Sequence, residues 1–242
     1  QEFFIDPQQI EDAKRQVKDL GRRIKEVSKL AKKYGSQADV EALSAVVNET
    51  TRFRDILNSE DREAIHDAMQ DFWDANYWQQ VDDVDRRVRL PKEIADMNKQ
   101  IKRVEKLLVA RKKALQTVNT VLGLNTAVFG ELLSNIKGMV TEADRLLKAG
   151  ELEEASEALN EIHSSGLNPG GLEGMVHELT NLAGSVKRIK DQNIISQIKT
   201  LIAEPFNLFA GGELQESNEA FNDIRNDVYR LVEQGLSKKK TT

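Results

Sequence analysis

The sequence contains no cysteine. This absence excludes disulfide bonds, thiolate metal sites and cysteine nucleophiles together. Proline is also rare, with four residues in 242, and aromatic residues make up only 5% of the chain. Ala, Leu, Glu, Lys and Gln are abundant instead, and these residues favour helices over β-strands. We therefore predict an all-α protein.

Two further absences limit the possible partners. No apolar run approaches the roughly 18 to 20 residues that a membrane-spanning helix needs, so we expect no transmembrane segment. The chain has no excess of positive charge either, because 35 Lys and Arg stand against 40 Asp and Glu, for a net charge of −5. General binding to nucleic-acid phosphates requires a basic surface. We expect protein partners and no nucleic acid.

The first residue is Gln rather than Met. This start indicates that a secretory signal, a pro-segment or an expression tag was removed upstream. A mature exported protein fits it, and Glu2-Phe3 equally fits a cloning remnant. The expected localisation is secreted or cell envelope, with a cytoplasmic location left open.

A helix start and a heptad repeat mark the first helix. Asp6 and Pro7 combine an N-terminal cap with a proline in the first turn. Apolar positions then recur in alternating steps of three and four, at Ile10, Ala13, Val17, Leu20, Ile24, Val27, Ala31 and Tyr34. This spacing is typical of a coiled-coil seam. Gly35 is predicted to end the helix in a left-handed conformation, and residues 39–57 to form the returning helix.

A third helix is predicted to begin at Asn58 or Ser59, and Pro91 is predicted to interrupt or kink the helical region after it. Beyond Pro91 runs a second heptad seam, broken only at Arg111, whose members are Ile94, Met97, Ile101, Val104, Leu108, Leu115, Val118 and Leu122. At about 1.5 Å per residue, a helix over residues 91–122 would be roughly 48 Å long. We therefore expect an elongated array of helical hairpins with coiled-coil-like seams.

The chain also contains an internal repeat. The segment GELEEASEALNEI (150–162) returns 62 residues later as GELQESNEAFNDI (212–224), with eight of thirteen positions identical. Upstream apolar positions correspond as well: Leu132/Ile194, Leu133/Ile195, Ile136/Ile198, Val140/Ile202, Leu146/Leu208 and Leu147/Phe209. Each copy predicts a long helix, a turn at Gly150 or Gly212 that accepts a positive φ, and a shorter returning helix. Pro205, which replaces Ala143, is predicted to bend the second long helix.

Residues 143–169 resemble the helix junction of a tetratricopeptide repeat over this one hairpin. The 62-residue spacing differs from the 34-residue period of that family, and its other aromatic landmarks are missing. We therefore interpret the repeat as a duplicated helical hairpin. This interpretation predicts three segments: 1–90, an N-terminal hairpin plus an aromatic, acidic helix; 91–168, the first long-short hairpin; and 169–242, the second hairpin with a basic tail. One continuous domain is the alternative.

Sequence signatures of catalysis are missing. No G-x-S-x-G, Walker-type or G-x-G-x-x-G sequence is present. The glycines at 166, 170, 171 and 174 are interpreted as a flexible turn between hairpins. Glu63 and His66 form an E-x-x-H pair, which is half of a ferritin-like metal centre, but the second pair and the further carboxylates are missing. We predict a protein that is not an enzyme, with no catalytic residue, cofactor or metal site, and keep a helical metal enzyme as an alternative.

The stretch FWDANYW (72–78) holds four of the thirteen aromatic residues. On one continuous helix, Phe72, Trp73 and Tyr77 share a wide face with Met69, whereas Trp78 points roughly opposite Met69. Either the helix is packed on two sides, or Trp78 is an exposed anchor for a partner. We name Trp78, Tyr77 and Trp73 as candidate partner-binding residues.

Charge is sorted into blocks along the chain. Residues 14–33 hold nine Lys or Arg against two acids, 36–85 hold thirteen acids against three basic residues, 86–113 hold eleven basic residues against three acids, and 131–178 hold ten acids against three basic residues. Such blocks can pair helices within one chain or between neighbouring chains. We predict a structural or scaffolding protein that self-associates or binds protein partners through helix faces. A monomeric adaptor that binds a peptide or helix in a groove between hairpins is the alternative.

Overall fold

The computed structural model describes residues 5–164 and 168–237. Over these ranges the chain forms ten α-helices and one π-helical segment, Val118–Leu122, and contains no strand. The all-α prediction is confirmed. The helices are α1 (Pro7–Tyr34), α2 (Gln37–Leu57), α3 (Arg62–Ala75), α4 (Tyr77–Ala110), α5 (Lys112–Thr117), α6 (Ala127–Lys148), α7 (Leu152–Ser164), α8 (Pro169–Val186), α9 (Gln192–Ala210) and α10 (Leu214–Ser237).

The chain divides into two compact units, residues 1–93 and 94–242. The boundary predicted after residue 90 lies close to the boundary between the units. The predicted segments 91–168 and 169–242 both fall almost entirely in unit 2. Pro91 lies inside α4 and does not end that helix.

In unit 1, the predicted stripe of α1 is the core-facing stripe. Ala13, Val17, Leu20, Ile24, Val27 and Ala31 are all buried, and Ile10 packs against the same core with partial exposure. The helix start is confirmed, since the Asp6 side chain accepts a hydrogen bond from the Gln8 backbone and Pro7 is in the first turn. Across the core from α1 lie Leu43 and Phe53 of α2, with Phe72 of α3 and Val84 of α4.

The predicted left-handed conformation of Gly35 is wrong. Its φ is −92° and its ψ is 175°, which is extended backbone. Glycine is nevertheless required, because a Cβ at this position would lie 2.8 Å from the Ala31 carbonyl oxygen and 3.0 Å from a Val88 methyl group. Ser36 then begins α2 with a reciprocal capping box, in which Ser36 and Asp39 each bind the backbone of the other.

The predicted start of the third helix is also wrong. Asn58 instead ends α2, and α3 begins at Arg62 because the Asp61 side chain accepts a hydrogen bond from the Ala64 backbone. Asn76 then takes a left-handed conformation, with φ 47° and ψ 59°, and ends α3. A polar side chain and a tolerance for this backbone region explain why asparagine occupies this position.

In unit 2, the second seam is largely buried but is not one helix. α4 ends at Ala110, Arg111 begins α5, and a π-helical turn from Val118 leads to the left-handed Gly123. A single helix over residues 91–122 is therefore wrong. Seven of the eight seam residues are buried, and Leu108 is partly exposed: Ile94, Met97, Ile101, Val104, Leu115, Val118 and Leu122 form the buried set.

The two repeated turns agree with the prediction residue by residue. Gly150 and Gly212 each have φ +80°. Gly150 donates its N–H to the Leu147 carbonyl, and Glu151 donates to Leu146. The same two bonds join Gly212 to Phe209 and Glu213 to Leu208. This is the Schellman arrangement, which satisfies the last carbonyls of a helix and needs a left-handed residue after its end.

Two details of the repeat differ from the prediction. The returning helix of the second copy, α10, has 24 residues and is longer than α9, which has 19. Gly170, Gly171 and Gly174 belong to α8 instead of a turn, because Asn168 caps the helix and Pro169 occupies its first turn. Gly166 lies outside the described residues.

Candidate protein-binding surfaces

The predicted aromatic residues belong to two helices instead of one. Because Asn76 ends α3, Trp73 is at the end of α3, and Tyr77 and Trp78 begin α4. Trp73 is 48% exposed, whereas Tyr77 and Trp78 pack against the core of unit 1 with partial exposure. The helical geometry assumed across residues 72–78 therefore does not hold, and Trp73 presents the most accessible indole.

These aromatic side chains surround Phe72. The Phe72 ring is stacked on Phe53 of α2 with centroids 4.4 Å apart, and it lies 5.6 Å from the rings of Trp73 and Tyr77. Burial, together with the nearby Glu49 carboxylate, raises the pKa of Tyr77, so its phenol stays neutral at physiological pH. The cluster places Trp73 at the exposed edge of the aromatic core.

The solvent-facing side of α3 is acidic. Glu63, Asp67, Gln70 and Asp74 succeed one another at steps of four, three and four, which places them on one stripe of the helix. All four are exposed, while Ile65 and Phe72 hold the opposite side of the helix in the core. Within the described residues, no Lys or Arg nitrogen lies within 4.0 Å of the Glu63, Asp67 or Asp74 carboxylates.

A long groove runs between α1 and α2 in unit 1. It has a volume of about 780 Å³, and Val17, Ile24 and Thr50 form its buried floor. Val47 at its edge is 41% exposed. The groove is open at Gly21, where a Cβ would meet nothing within 4 Å.

The groove has a basic edge. The cations that line it are Lys14, Lys18, Arg22, Lys25 and Arg54, and no carboxylate is among its described lining residues. Lys14 and Arg22 have carboxylate neighbours on α1, at 3.5 Å and 3.9 Å. Among the residues that the structure describes, Lys18, Lys25 and Arg54 have no carboxylate oxygen within 4.0 Å. The groove therefore combines an apolar floor with positive charge that α1 and α2 leave unpaired.

A second groove lies in unit 2 between α8 and α10. It has a volume of about 360 Å³ and is lined mainly by apolar side chains, among them Leu179, Leu182 and Val228. Tyr229 lines it and is 52% exposed. Arg225 bridges from α10 to Glu178 of α8 with two hydrogen bonds of 2.9 and 3.2 Å, and this contact raises the pKa of the guanidinium further.

Several charge blocks pair within their own unit. In unit 1, Arg23 reaches Asp85 at 2.8 Å and Asp82 at 3.5 Å, and Arg87 reaches Asp39 at 2.9 Å. In unit 2, the links are Arg103–Glu173 at 2.9 Å and Lys137–Glu105 at 3.2 Å. Pairing within the described part of the chain therefore accounts for some of the block pattern and does not include the three groove cations or the α3 carboxylates.

Asp85 is the most enclosed carboxylate of this network. One oxygen, Oδ2, accepts hydrogen bonds from Arg23 and from Arg89 at 2.8 and 2.7 Å. The other, Oδ1, is buried and has no hydrogen-bond partner among the described residues. Arg23 ties α1 to α4 through this carboxylate, and Arg89 binds it from the next turn of α4, which is a structural role.

The E-x-x-H pair lies on the exposed side of α3. Glu63 and His66 are both exposed, and His66 contacts the neighbouring Asp67 at 3.5 Å. Over residues 5–164 and 168–237, no group of three His, Asp or Glu side chains is placed to hold a metal ion. No helix in these ranges is long and apolar enough to span a membrane.

Sequence reasoning missed the α1–α2 groove, although its signal is present. Gly21, Ser28 and Thr51 are small residues on the outer faces of the hairpin, and a set of cations recurs at helical spacing beside them: Lys14, Lys18, Arg22 and Lys25. The heptad seam marks the buried face of α1, and its members Val17 and Ile24 form part of the groove floor. Comparisons with protein-family models, with curated proteins and with solved structures give no significant match to this chain.

Proposed function

We propose that this protein is a non-enzymatic scaffolding protein that self-associates, and binds protein partners, through helix faces. One observation carries the proposal: each compact unit has a groove between two helices with a large apolar side chain exposed at its edge. These side chains are Val47 at the α1–α2 groove and Tyr229 at the α8–α10 groove, 41% and 52% exposed. Apolar surface that a polar rim surrounds is typical of protein interaction sites.

The shape of these grooves suits helices as occupants. A groove between two neighbouring helices accepts the apolar face of a third helix, whose anchors recur at three- and four-residue steps. Hairpins pack further helices by the same rule that packs the first two. Charge supports the same function, because the cations of the α1–α2 groove and the acids of α3 would favour association between oppositely charged faces.

Measurement of the solution mass by size exclusion with light scattering tests the proposal. The sample is the full chain between micromolar and millimolar concentrations, at low salt and at 1 M salt. We expect a mass above the 27.3 kDa of one chain that rises with concentration and falls at high salt. A species of 27.3 kDa under every condition would contradict self-association. It would favour the adaptor function, for which the α8–α10 groove with Tyr229 is the specific candidate site.

A further inference from the structure

Two faces of unit 1 complement each other in charge. The α1–α2 groove presents Lys18, Lys25 and Arg54, and no carboxylate of the described residues lies within 4.0 Å of them. The exposed stripe of α3 presents its three carboxylates without a described Lys or Arg within the same distance. In a chain where other charges pair across helices, these two sets remain open to a partner.

We propose that α3 of one copy of the chain docks in the α1–α2 groove of a second copy. This contact rests on the proposed self-association and names its surfaces. α3 cannot occupy the groove of its own chain, because Ile65 and Phe72 hold it in the core beside α2. The occupant is therefore the α3 helix of another molecule.

The dimensions of the two faces agree. α3 has 14 residues, which corresponds to about 21 Å of helix. The groove side of α1 runs from Lys14 to Ser28, which is about the same length. The three acids of the stripe, at steps of four and seven residues, can therefore run along the cations of α1 over the length of the groove.

Apolar contact in this interface comes from Trp73. It is an exposed indole of unit 1 and lies beside the acidic stripe, about a quarter of a turn around α3 from its centre. Gly21 and Val47 both line the groove, and the space above Gly21 is open, so an aromatic ring can lie there against Val47. A tryptophan that enters a recess inside a ring of charge is a common anchor of protein interfaces.

The contact joins two different surfaces, so two assemblies satisfy it. Reciprocal docking gives a closed dimer, and serial docking gives longer chains or rings of copies. The mass at high concentration distinguishes them. Both arrangements depend on the same residues, so one set of variants tests either.

Charge reversal on each face tests the contact. The groove variant is Lys18→Glu/Lys25→Glu, and the α3 variant is Asp67→Lys/Asp74→Lys. Sedimentation equilibrium should show that each variant alone associates at least about tenfold more weakly than the natural chain, because like charges then face each other. An equimolar mixture of the two variants should regain association to within about threefold, because the reversed faces attract again.

Matched variants control for net charge. Lys112→Glu/Lys113→Glu changes the net charge as the groove variant does, and Glu41→Lys/Glu60→Lys changes it as the α3 variant does. All four of these controls are exposed residues outside both faces, and they should leave the dissociation constant unchanged. Circular dichroism and melting temperature confirm that the variants fold.

The outcomes separate this contact from self-association in general. If the natural chain associates but both reversed variants associate equally well, or the mixture stays as weak as its components, the α3–groove contact is wrong and self-association stands. If the natural chain is a monomer at every concentration, both the α3–groove contact and the proposed self-association are wrong.

Discussion

Ser217 and Pro205 are joined by a buried hydrogen bond, in which the Ser217 hydroxyl donates to the Pro205 carbonyl oxygen at 2.8 Å. The equivalent residues 62 positions earlier are Ala155 and Ala143, both buried. The second hairpin thus differs from the first at both partners of one contact. Proline inside a helix disturbs the backbone hydrogen bonds of the preceding turn, and the serine links that part of α9 to α10.

Ser217→Ala should lower the free energy of unfolding by about 1 kcal/mol, the typical net contribution of one such bond. The change is sterically safe, because alanine occupies the equivalent position of the first hairpin. Urea denaturation measures the effect. Ser237→Ala, which removes an exposed hydroxyl bonded to the Glu233 carbonyl, should change stability much less. Equal losses in the free energy of unfolding for the two variants would mean that the buried Ser217 bond stabilises the fold no more than an exposed one.

Alanine should have opposite effects on stability at a turn glycine and at a glycine inside a helix. Gly150→Ala should destabilise the protein by about 1 kcal/mol, because alanine is strained at φ +80°. Gly138→Ala, in the middle of α6 with open space around its Cβ position, should stabilise by up to about 1 kcal/mol. Thermal unfolding of both variants checks the pair. A stabilising effect at residue 150 would contradict the left-handed turn.

The two tryptophans should separate folding from association. Trp78→Ala removes a side chain that packs on the core of unit 1, and we expect a loss of about 2 kcal/mol in stability from the cavity. Trp73→Ala removes an exposed indole, so the melting temperature should change little while the solution mass falls toward that of one chain. Differential scanning calorimetry and light scattering on both variants check this. If Trp78→Ala alone lost association while its stability stayed intact, Trp78 and not Trp73 would be the residue that binds the partner.

Asp39 predicts a dependence of stability on acid pH. Burial raises the pKa of this carboxyl, but hydrogen bonds from the Ser36 backbone, Arg87 and the Ser36 hydroxyl outweigh it and lower the pKa below the ordinary value. A lowered folded-state pKa contributes stability that is present above the unfolded pKa of about 3.9 and is lost as pH falls through the folded value.

Asp39→Asn should therefore cost about 1 kcal/mol at pH 7, and this difference from the natural chain should disappear as the pH falls below the folded-state value. Urea titrations at several pH values between about 7 and 2 measure it. Glu41→Gln, at an exposed position four residues from Gln37, serves as the control and should show little change at any pH. A difference that persists unchanged at the lowest pH would exclude the ion pair with Arg87 as its cause.

The parts of the fold that depend on local chemistry could be predicted from the sequence. Asp6 and Pro7 begin a helix because a side-chain cap and a fixed φ act within three residues, and the repeated glycines mark left-handed turns for the same reason. Periodic apolar positions such as Leu20 and Val27 are buried because one face of a helix must be covered. These signals act within one helix or one turn.

Other features depend on contacts between distant residues, and no local pattern contains them. Gly35 is required by the close approach of the Ala31 carbonyl and of Val88, which lies on the distant α4, and not by a positive φ. Asn76 ends a helix that periodicity would continue, and this single residue changes the positions of Tyr77 and Trp78. The α1–α2 groove forms where α1 and α2 pack together, and its lining residues come from both helices. A seam on one face does not indicate which other face stays open.

Cross-linking between copies gives the sharpest test of self-association through α3. Equal amounts of ¹⁴N- and ¹⁵N-labelled chain would be mixed and treated with a carbodiimide, which joins carboxylates to lysine amines that are in contact. We expect cross-linked peptides of mixed isotope composition between Asp67 or Asp74 of α3 and Lys18 or Lys25 of α1. Mixed peptides confined to other surfaces would contradict the α3–groove contact, and a complete lack of mixed peptides at millimolar concentration would contradict self-association.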